Sequence, residues 1–324
     1  MSPRVQILLA TYNGQRYLPT LLDSLFSQSH QDFEILAADD GSSDRTLEIL
    51  CGYAVEHPGQ LRVMEFPSRA GGARANFARL IEAATAPYAM FCDQDDVWLA
   101  GKIEASLVHL QMSEARYGTE TPILVHSDLV VTDAALRPLS PSFRRYSRLR
   151  PSRRQFRHLL LQNNVVGCSC AFNRAQYSLA RPVPDQAVMH DQWFAIVAAA
   201  FGQIVPVHKS LTLYRRHEAN DSVVLPWRFE FTPCRIRRWW GGESMRALSL
   251  QARAFSRRYA DKLTVEQVAI ADAVADLWGW TMTRRIAAIW KYRLFKDGLI
   301  RNIGLHLFVA LYRTKTMPRE EHLP

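Results

Sequence analysis

Three carboxylates, Asp93, Asp95 and Asp96, come directly after the apolar run Tyr88–Cys92. Acids packed that closely repel one another unless a cation lies among them. At the end of a buried strand they form an oxygen site for Mg²⁺ or Mn²⁺, ions that take one or two carboxylates and fill their shell with water and substrate phosphates. A metal held that way would neutralise a diphosphate and make it a good leaving group. Alone, the Asp-x-Asp pattern is explained equally well by a solvated turn in front of the helix that starts near Lys102. Two further residues fit the same chemistry. Asp40 closes a second apolar run in a Gly-Ser turn and can accept a hydrogen bond from a nucleobase. Arg74, beside Gly71-Gly72, can face a base or a phosphate.

These residues need elements to position them. Val5–Ala10, Phe33–Ala38, Leu61–Phe66 and Tyr88–Cys92 read as buried strands. Between them run helical patterns: Leu18, Leu21, Leu22, Leu25 and Phe26; then Leu47, Leu50 and Ala54 turned inward behind a Ser43 cap; then Phe77, Leu80, Ile81 and Ala84. A Lys102–Arg116 helix and an Ile123–His126 strand come next. Strand–helix alternation with nearly continuous apolar strands implies an α/β fold, a doubly wound and mostly parallel sheet. Ligands of such sheets sit beyond the carboxyl ends of the strands. That rule brings Thr11, Tyr12, Asn13 and Gly14 together with Asp39–Asp44 and Asp93–Asp96 across one crevice.

Charge divides the 324-residue chain, whose net charge is +9. Residues 1–133 carry 9 basic against 18 acidic side chains, whereas residues 134–184 carry 10 arginines and no acid. Acid chemistry first and anionic partners later is the division of labour this suggests. The run Arg144, Arg145, Arg148, Arg150, Arg153, Arg154 and Arg157 is either a solvated face or a site for an anionic acceptor. From about Val223 the alternation gives way to helical stretches rich in Arg and Trp, holding 6 of the 8 tryptophans. The expected division is therefore a catalytic domain over 1–222, with halves 1–133 and 134–222, and a basic helical region over 223–324. That region, with Arg235, Arg237, Arg238, Trp239 and Trp240, would either lie flat on an anionic membrane or cover the catalytic domain as a bundle. The apolar stretch near Ile303–Tyr312 is too short to span a bilayer, and the first ten residues read as a strand rather than a signal peptide. Five scattered cysteines fit reduced thiols in a cytoplasmic protein. Nucleic-acid binding is disfavoured by the acidic first half and the lack of a known module.

Taken together, the motifs closely resemble glycosyltransferase family 2, which has the GT-A fold. Ala10-Thr11-Tyr12-Asn13-Gly14 looks like the family's opening motif and Ala38–Asp44 like its nucleotide-binding turn. Asn76-Phe77 resembles a third nucleotide contact. Asp93-Gln94-Asp95-Asp96-Val97-Trp98, with Lys102 and Glu104, looks like the metal motif in its bacterial rhamnosyltransferase form. His190-Asp191-Gln192-Trp193 resembles the segment with the catalytic base, and Tyr214–His217 with Asn220 a loop that closes over the donor. The matches run in the family's order over about residues 4–222. Gln94 stands where Ser or Ala is frequent, and His190 where Glu is.

The resemblance implies that Asp40 and Arg74 hold the base of a nucleotide-sugar, with Tyr12 packed near it. It also implies that Asp95 and Asp93 bind the metal and that His217 reaches the same metal or phosphates. Asp191 would be the general base of a single, inverting displacement; as a rival or additional role it could cap the helix it precedes. His190 would support the base or touch the acceptor. The activity implied is transfer of a sugar, rhamnose from dTDP-rhamnose, to a hydroxyl of a saccharide acceptor. That acceptor would be lipid-diphosphate-linked, in bacterial cell-surface polysaccharide synthesis at the inner face of the cytoplasmic membrane. Two alternatives stand beside it. One is a nucleotidyltransferase of similar fold, although this chain lacks a basic, Gly-rich opening loop. The other is a catalytically inactive membrane-surface binding protein, which retention of Asp40, Asp93, Asp95 and Asp191 opposes.

Overall fold

A computed structural model describes residues 5–218, 220 and 243–311. Its first half alternates β1 (Val5–Thr11), α1 (Leu18–Phe26), β2 (Phe33–Asp39), α2 (Thr46–Glu56), β3 (Leu61–Met64), α3 (Ala73–Ala83) and β4 (Tyr88–Asp93). The strands lie in the order β3-β2-β1-β4 and are all parallel. Successive side chains of a strand point to opposite faces, so a strand buried on both must be apolar throughout. Leu8, Leu36 and Phe91 pack with α3 residues Phe77, Leu80 and Ile81 on one face. Ile7, Leu9 and Ile35 pack with α1 residues Leu18, Leu21 and Leu25 on the other. The register sets Thr11 beside Asp39 and Ala10 beside Asp93, so the expected polar clusters emerge from one edge.

Past β4 come β5 (Val97–Trp98), α4 (Lys102–Tyr117), β6 (Ile123–Thr132), β7 (Pro138–Ser140), α5 (Phe143–Tyr146) and α6 (Phe156–Leu159). Then come β8 (Cys170–Asn173), α7 (Arg174–Ala180), α8 (His190–Phe201) and β9 (Gln203–Arg215). The sheet continues β4-β8-β6-β9-β5, and here its character is mixed. The chain leaves β6, returns through the short α5 and α6, and lays β8 antiparallel between β4 and β6. β9 again runs parallel to β6. The parallel, doubly wound character read from the sequence is thus concentrated in the first half.

Some local expectations change. Ser43 does not cap α2: Asp44 Oδ1 accepts the Thr46 amide at 3.0 Å instead, and Leu47 faces solvent while Leu50 is buried. An acid at that position satisfies the free amide as well as a hydroxyl would.

Four further helices, α9 (Glu243–Arg258), α10 (Val265–Asp276), α11 (Met282–Lys291) and α12 (Leu299–Leu311), complete the described chain. All four contribute buried side chains to the core cluster that also holds Trp193, among them Ile289 of α11 and Leu305 and Phe308 of α12. Phe255 and Tyr259, at the end of α9, pack on Trp193 of α8, with ring centroids 5.4 and 6.1 Å away, and α10 joins the same core through Ile270, Ala271 and Val274. The domain boundary expected at Val223, and with it Trp227, Arg235–Arg238, Trp239 and Trp240, lies outside the described residues. No described helix is long and apolar enough to cross a membrane.

Candidate active site

The edge where β1, β2 and β4 end is knitted by side chains. Thr11 Oγ1 donates to Asp39 Oδ1 at 2.9 Å, and Asp39 in turn takes the Ser42 amide at 2.8 Å. Asn13 adopts positive φ (49°), its amide donating to Ser42 Oγ and its Oδ1 accepting from the Ser43 amide, both at 2.8 Å. Gln94 pairs with the Tyr12 backbone through both ends of its amide, at 2.8 Å each, joining the end of β4 to the end of β1. Gly14 is glycine for that reason, since a Cβ there would run into the Gln94 side chain. Asp40 is buried, and its carboxylate accepts the amides of Ala70, Gly71 and Gly72, the last at 2.8 Å.

These segments line one cleft of about 580 Å³, whose wall includes Thr11, Tyr12, Asp40, Asn76, Asp93 and Asp95 together with Gly167, His190 and Asp191. The structure corrects the placement of Arg74. Its guanidinium turns to the Pro184 carbonyl and the Asp185 carboxylate, each at 3.2 Å, and it is not among the residues of the cleft wall. Arg69 stands there instead, 5.0 Å from the Tyr12 ring and donating to the Asp40 carbonyl at 2.8 Å. Asn13 ties the turns together without being part of the wall.

The three acids of the metal motif do not face the same way. Asp95 Oδ2 accepts His217 Nε2 at 2.7 Å and Asn220 Nδ2 at 3.2 Å, so the chain just past β9 does meet the motif. Arg215 fixes that meeting: its amide donates to Asp96 Oδ1 at 3.0 Å and its Nε to the Asp95 carbonyl at 2.7 Å. Asp96 is fully buried, and its carboxylate lies near the Cys168 thiol. Among the described residues Asp93, Asp96 and Cys168 bring one ligand atom each within 4.8 Å of one another, but burial pushes the Cys168 thiol up, which keeps it protonated. Asp93 and Asp95 line the cleft and carry the hard oxygens that suit Mg²⁺ or Mn²⁺, and His217 pairs with Asp95. Burial, then the neighbouring acids Asp96 and Asp95, push the Asp93 carboxyl well up; burial and Asp95 lift Asp96 to about 7. Beneath them the buried Lys102 ammonium donates to the Cys168 carbonyl at 2.6 Å and lies 3.4 Å from the Trp98 ring centroid; burial brings it down to about 8.

Asp191, also on the cleft wall, sits in the first turn of α8, and Met189, not Asp191, is the N-cap. Its Oδ2 accepts the Gly167 amide at 3.0 Å. Burial lifts the carboxyl to about 6, against the hydrogen bonds of the Gln192 and Gly167 amides and the Asn163 side chain. His190 is stacked on Phe77, centroids 3.9 Å apart, and meets Phe91 edge-on at 4.6 Å. Burial takes it down to about 3, so the ring is neutral, and neither nitrogen has a hydrogen-bond partner among the described residues. A Cβ on Gly167 would come 3.2 Å from His190 Nε2 and 3.4 Å from Asp191 Cβ, so glycine there keeps the approach to both open.

Sequence reasoning missed Gln94, Arg69 and Gly167 as site residues. Gln94 alone left a signal, as the departure from the metal motif's usual residue.

Comparison with known proteins points the same way. The family model described as Glycosyl transferase family 2 matches residues 6–176. A dTDP-rhamnosyl transferase, RfbG, of Shigella flexneri is 34% identical over 110 residues, which is 33% of this chain and 38% of that protein. An uncharacterised glycosyltransferase of Nostoc sp. is 25% identical over 228 residues, 67% of this chain and 66% of the relative. The chain therefore spans less than two thirds of either relative's length. Among solved structures, Staphylococcus aureus TarS 1–349 with UDP-GlcNAc superposes with a TM-score of 0.52 at 15% identity, over 90% of this chain and 89% of the other. Mannosyltransferase PcManGT of Pyrobaculum calidifontis, with GDP-Man and Mn²⁺, gives 0.50 at 16% identity over 96% and 86%. The shared fold is GT-A.

Proposed function

The chain belongs to glycosyl transferase family 2, and from that premise we propose that it transfers a sugar from a nucleotide-sugar to a saccharide hydroxyl, with inversion and with a divalent cation. The observation that carries the reading is two kinds of acid on the wall of one cleft: Asp93 and Asp95, the latter paired with His217, and Asp191, lifted to about 6 by burial. A base tuned toward neutrality is suited to taking a proton at physiological pH.

In the displacement, the acceptor oxygen forms its bond to the anomeric carbon as the bond from that carbon to the diphosphate oxygen breaks, and the hydroxyl proton passes to Asp191. Asp93, Asp95 and His217 would hold Mg²⁺ or Mn²⁺, which supplies charge neutralisation to the departing diphosphate. Tyr12 and Arg69 form a stacked platform for a base or ribose, and the Asp40-held loop closes that end. Rhamnose from dTDP-rhamnose is the donor we favour, on the form of the Asp93–Trp98 motif and the likeness to a dTDP-rhamnosyl transferase. A lipid-linked acceptor at the cytoplasmic face of a membrane fits the basic second half.

The test is a panel of nucleotide sugars with Mn²⁺ or Mg²⁺, read by thermal shift and nucleoside diphosphate release. Metal-dependent stabilisation by one donor, with slow hydrolysis lost in Asp95→Ala, supports the reading and names the sugar. Failure of every donor, with and without metal, overturns it in favour of an inactive binding protein.

A further inference from the structure

Two buried side chains in the cleft wall hold polar atoms that no described residue satisfies. Asn76, 1% exposed, donates its Nδ2 to the Ala38 carbonyl at 2.7 Å, which leaves Oδ1 as an acceptor without a partner among the described residues. His190, 4% exposed, has neither ring nitrogen bonded there, and its ring is neutral. Buried polar atoms are nearly always paired, because a bare one has given up its hydration for nothing. Both residues line the cleft, so what the cleft binds can supply the partners.

The strands set these two residues around one space. Ala38 of β2, Ala10 of β1 and Asp93 of β4 are paired in register, so their side chains share one face of the sheet. On that face Ala10, Ala38, Phe77 and Phe91 belong to one core. Asn76 is tied to the β2 end of the row. His190 stands at the β4 end, because its ring meets Phe91, two residues before Asp93 on the same face. Phe77, next to Asn76 in α3 and stacked on His190, joins the two and also lines the cleft. Between them the wall is only the methyl of Ala10, so most of two strand spacings, about 10 Å, stays open. Beside His190 the wall is Gly167. A Cβ there would stand 3.2 Å from His190 Nε2 and 3.6 Å from Asp191 Oδ2, so imidazole and carboxylate converge on one opening.

A sugar that leaves a diphosphate at Asp93 and Asp95 and meets an acceptor oxygen at Asp191 has to cross this space. A fixed acceptor and a neutral imidazole suit hydroxyls, and neither carries the positive charge that a desolvated carboxylate would need. We propose that Asn76 and His190 read the transferred sugar, Asn76 Oδ1 accepting from one hydroxyl and the His190 imidazole bonding another, so that the donor carries an uncharged, hydroxyl-bearing ring. The family resemblance puts Asn76 at the nucleotide and His190 at the base or the acceptor; the geometry moves both to the sugar. The inference rests on the transferase reading.

The full chain with Mn²⁺ is titrated with the matched pairs dTDP and dTDP-rhamnose, UDP and UDP-glucose, and GDP and GDP-mannose. The readout is the ratio of the two dissociation constants within a pair that binds. His190→Phe and Asn76→Ala should each weaken the nucleotide-sugar about three- to tenfold and leave the nucleoside diphosphate unchanged, the scale of one neutral hydrogen bond. His190→Gln, which keeps a neutral donor and acceptor, should recover part of the loss. His190→Phe keeps the stack on Phe77 and Phe91 and removes bare polar atoms, so its melting temperature should hold or rise. Asn76→Ala also bares the Ala38 carbonyl and is therefore judged by the ratio rather than by stability. Relative to UDP, UDP-glucuronic acid should gain less than UDP-glucose. An unchanged ratio in His190→Phe makes His190 a packing or acceptor residue, and equal weakening of both members of a pair makes it a nucleotide contact; either result overturns the proposal, as does the opposite order of the two UDP-sugars. If no pair binds the wild-type protein, the transferase reading itself fails and this inference falls with it; if a pair binds and the variants keep its ratio, the inference fails alone.

Discussion

Asp40 and Asp191 are acids on the wall of one cleft, and the protein holds them by opposite means. Asp40 is wrapped by backbone amides of residues 70–72 and spends its oxygens on shaping a loop. Any base that touches it must share it with that loop. Asp191 takes two amides as well, yet burial dominates and lifts it to about 6. Around Asp40 the cleft is built by hydrogen bonds between turns, and beside Asp191 by the aromatic packing of His190 on Phe77 and Phe91. The first arrangement fixes geometry; the second tunes chemistry.

The largest effect should come from removing the tuned acid. Asp191→Asn is expected to lower transfer by about 10²–10⁴-fold while leaving metal-dependent donor stabilisation intact; loss of donor binding in this variant would sink the division between halves. The same variant tests the tuning through stability. A carboxyl raised from 3.8 to about 6 in the fold is bound to a proton there at pH values where the unfolded chain has released it, so its contribution to stability falls as pH rises through that window. Relative to wild type, the melting temperature of Asp191→Asn should therefore increase from pH 4 to pH 7. A constant difference would contradict the burial argument. The wild-type transfer rate should rise across the same window, with an acid limb near 6.

On the hydrogen-bonded side, Gly14→Ala should cost about 1–3 kcal/mol, because the new methyl must displace the Gln94 bridge. Pairing it with Gln94→Ala should recover part of the stability, a coupling that urea denaturation can measure. The smallest effect belongs to Arg74. Its partner Asp185 is almost fully exposed, so Arg74→Ala should leave stability nearly unchanged, and donor affinity should respond far more to Arg69→Ala. Equal responses of the two arginines would restore the role that the sequence suggested for Arg74.

Much of the donor half could be read from residue order, because there the local pattern and the fold agree. Apolar strands that end in Thr11, Asp39 and Asp93 can place those residues at only one edge of a parallel sheet. The meeting of Asp95 with His217, 122 positions apart, came from family resemblance, since spacing alone gives no reason for it. The hidden part depends on which side chain reaches across. Arg69 and Arg74 both flank Gly71-Gly72, and composition cannot say that one stacks on Tyr12 while the other turns to Pro184. In the same way the run from Arg144 to Arg157 reads as one basic patch, but the fold divides it. Arg144, Arg153 and Arg154 cap carbonyls of Val207, Lys296 and Ile204, leaving Arg145 outward.

Lys102 has a consequence for how the chain comes to be folded at all. Three acids gathered at a strand end would ordinarily make a domain wait for its ion, as small metal-nucleated domains do. Here an internal ammonium, clamped over Trp98 and buried among the acids, supplies a counter-charge from the chain itself. The scaffold can be born empty. Metal would then arrive as a passenger with each substrate rather than as a cornerstone, and chelation should silence the protein while leaving it standing.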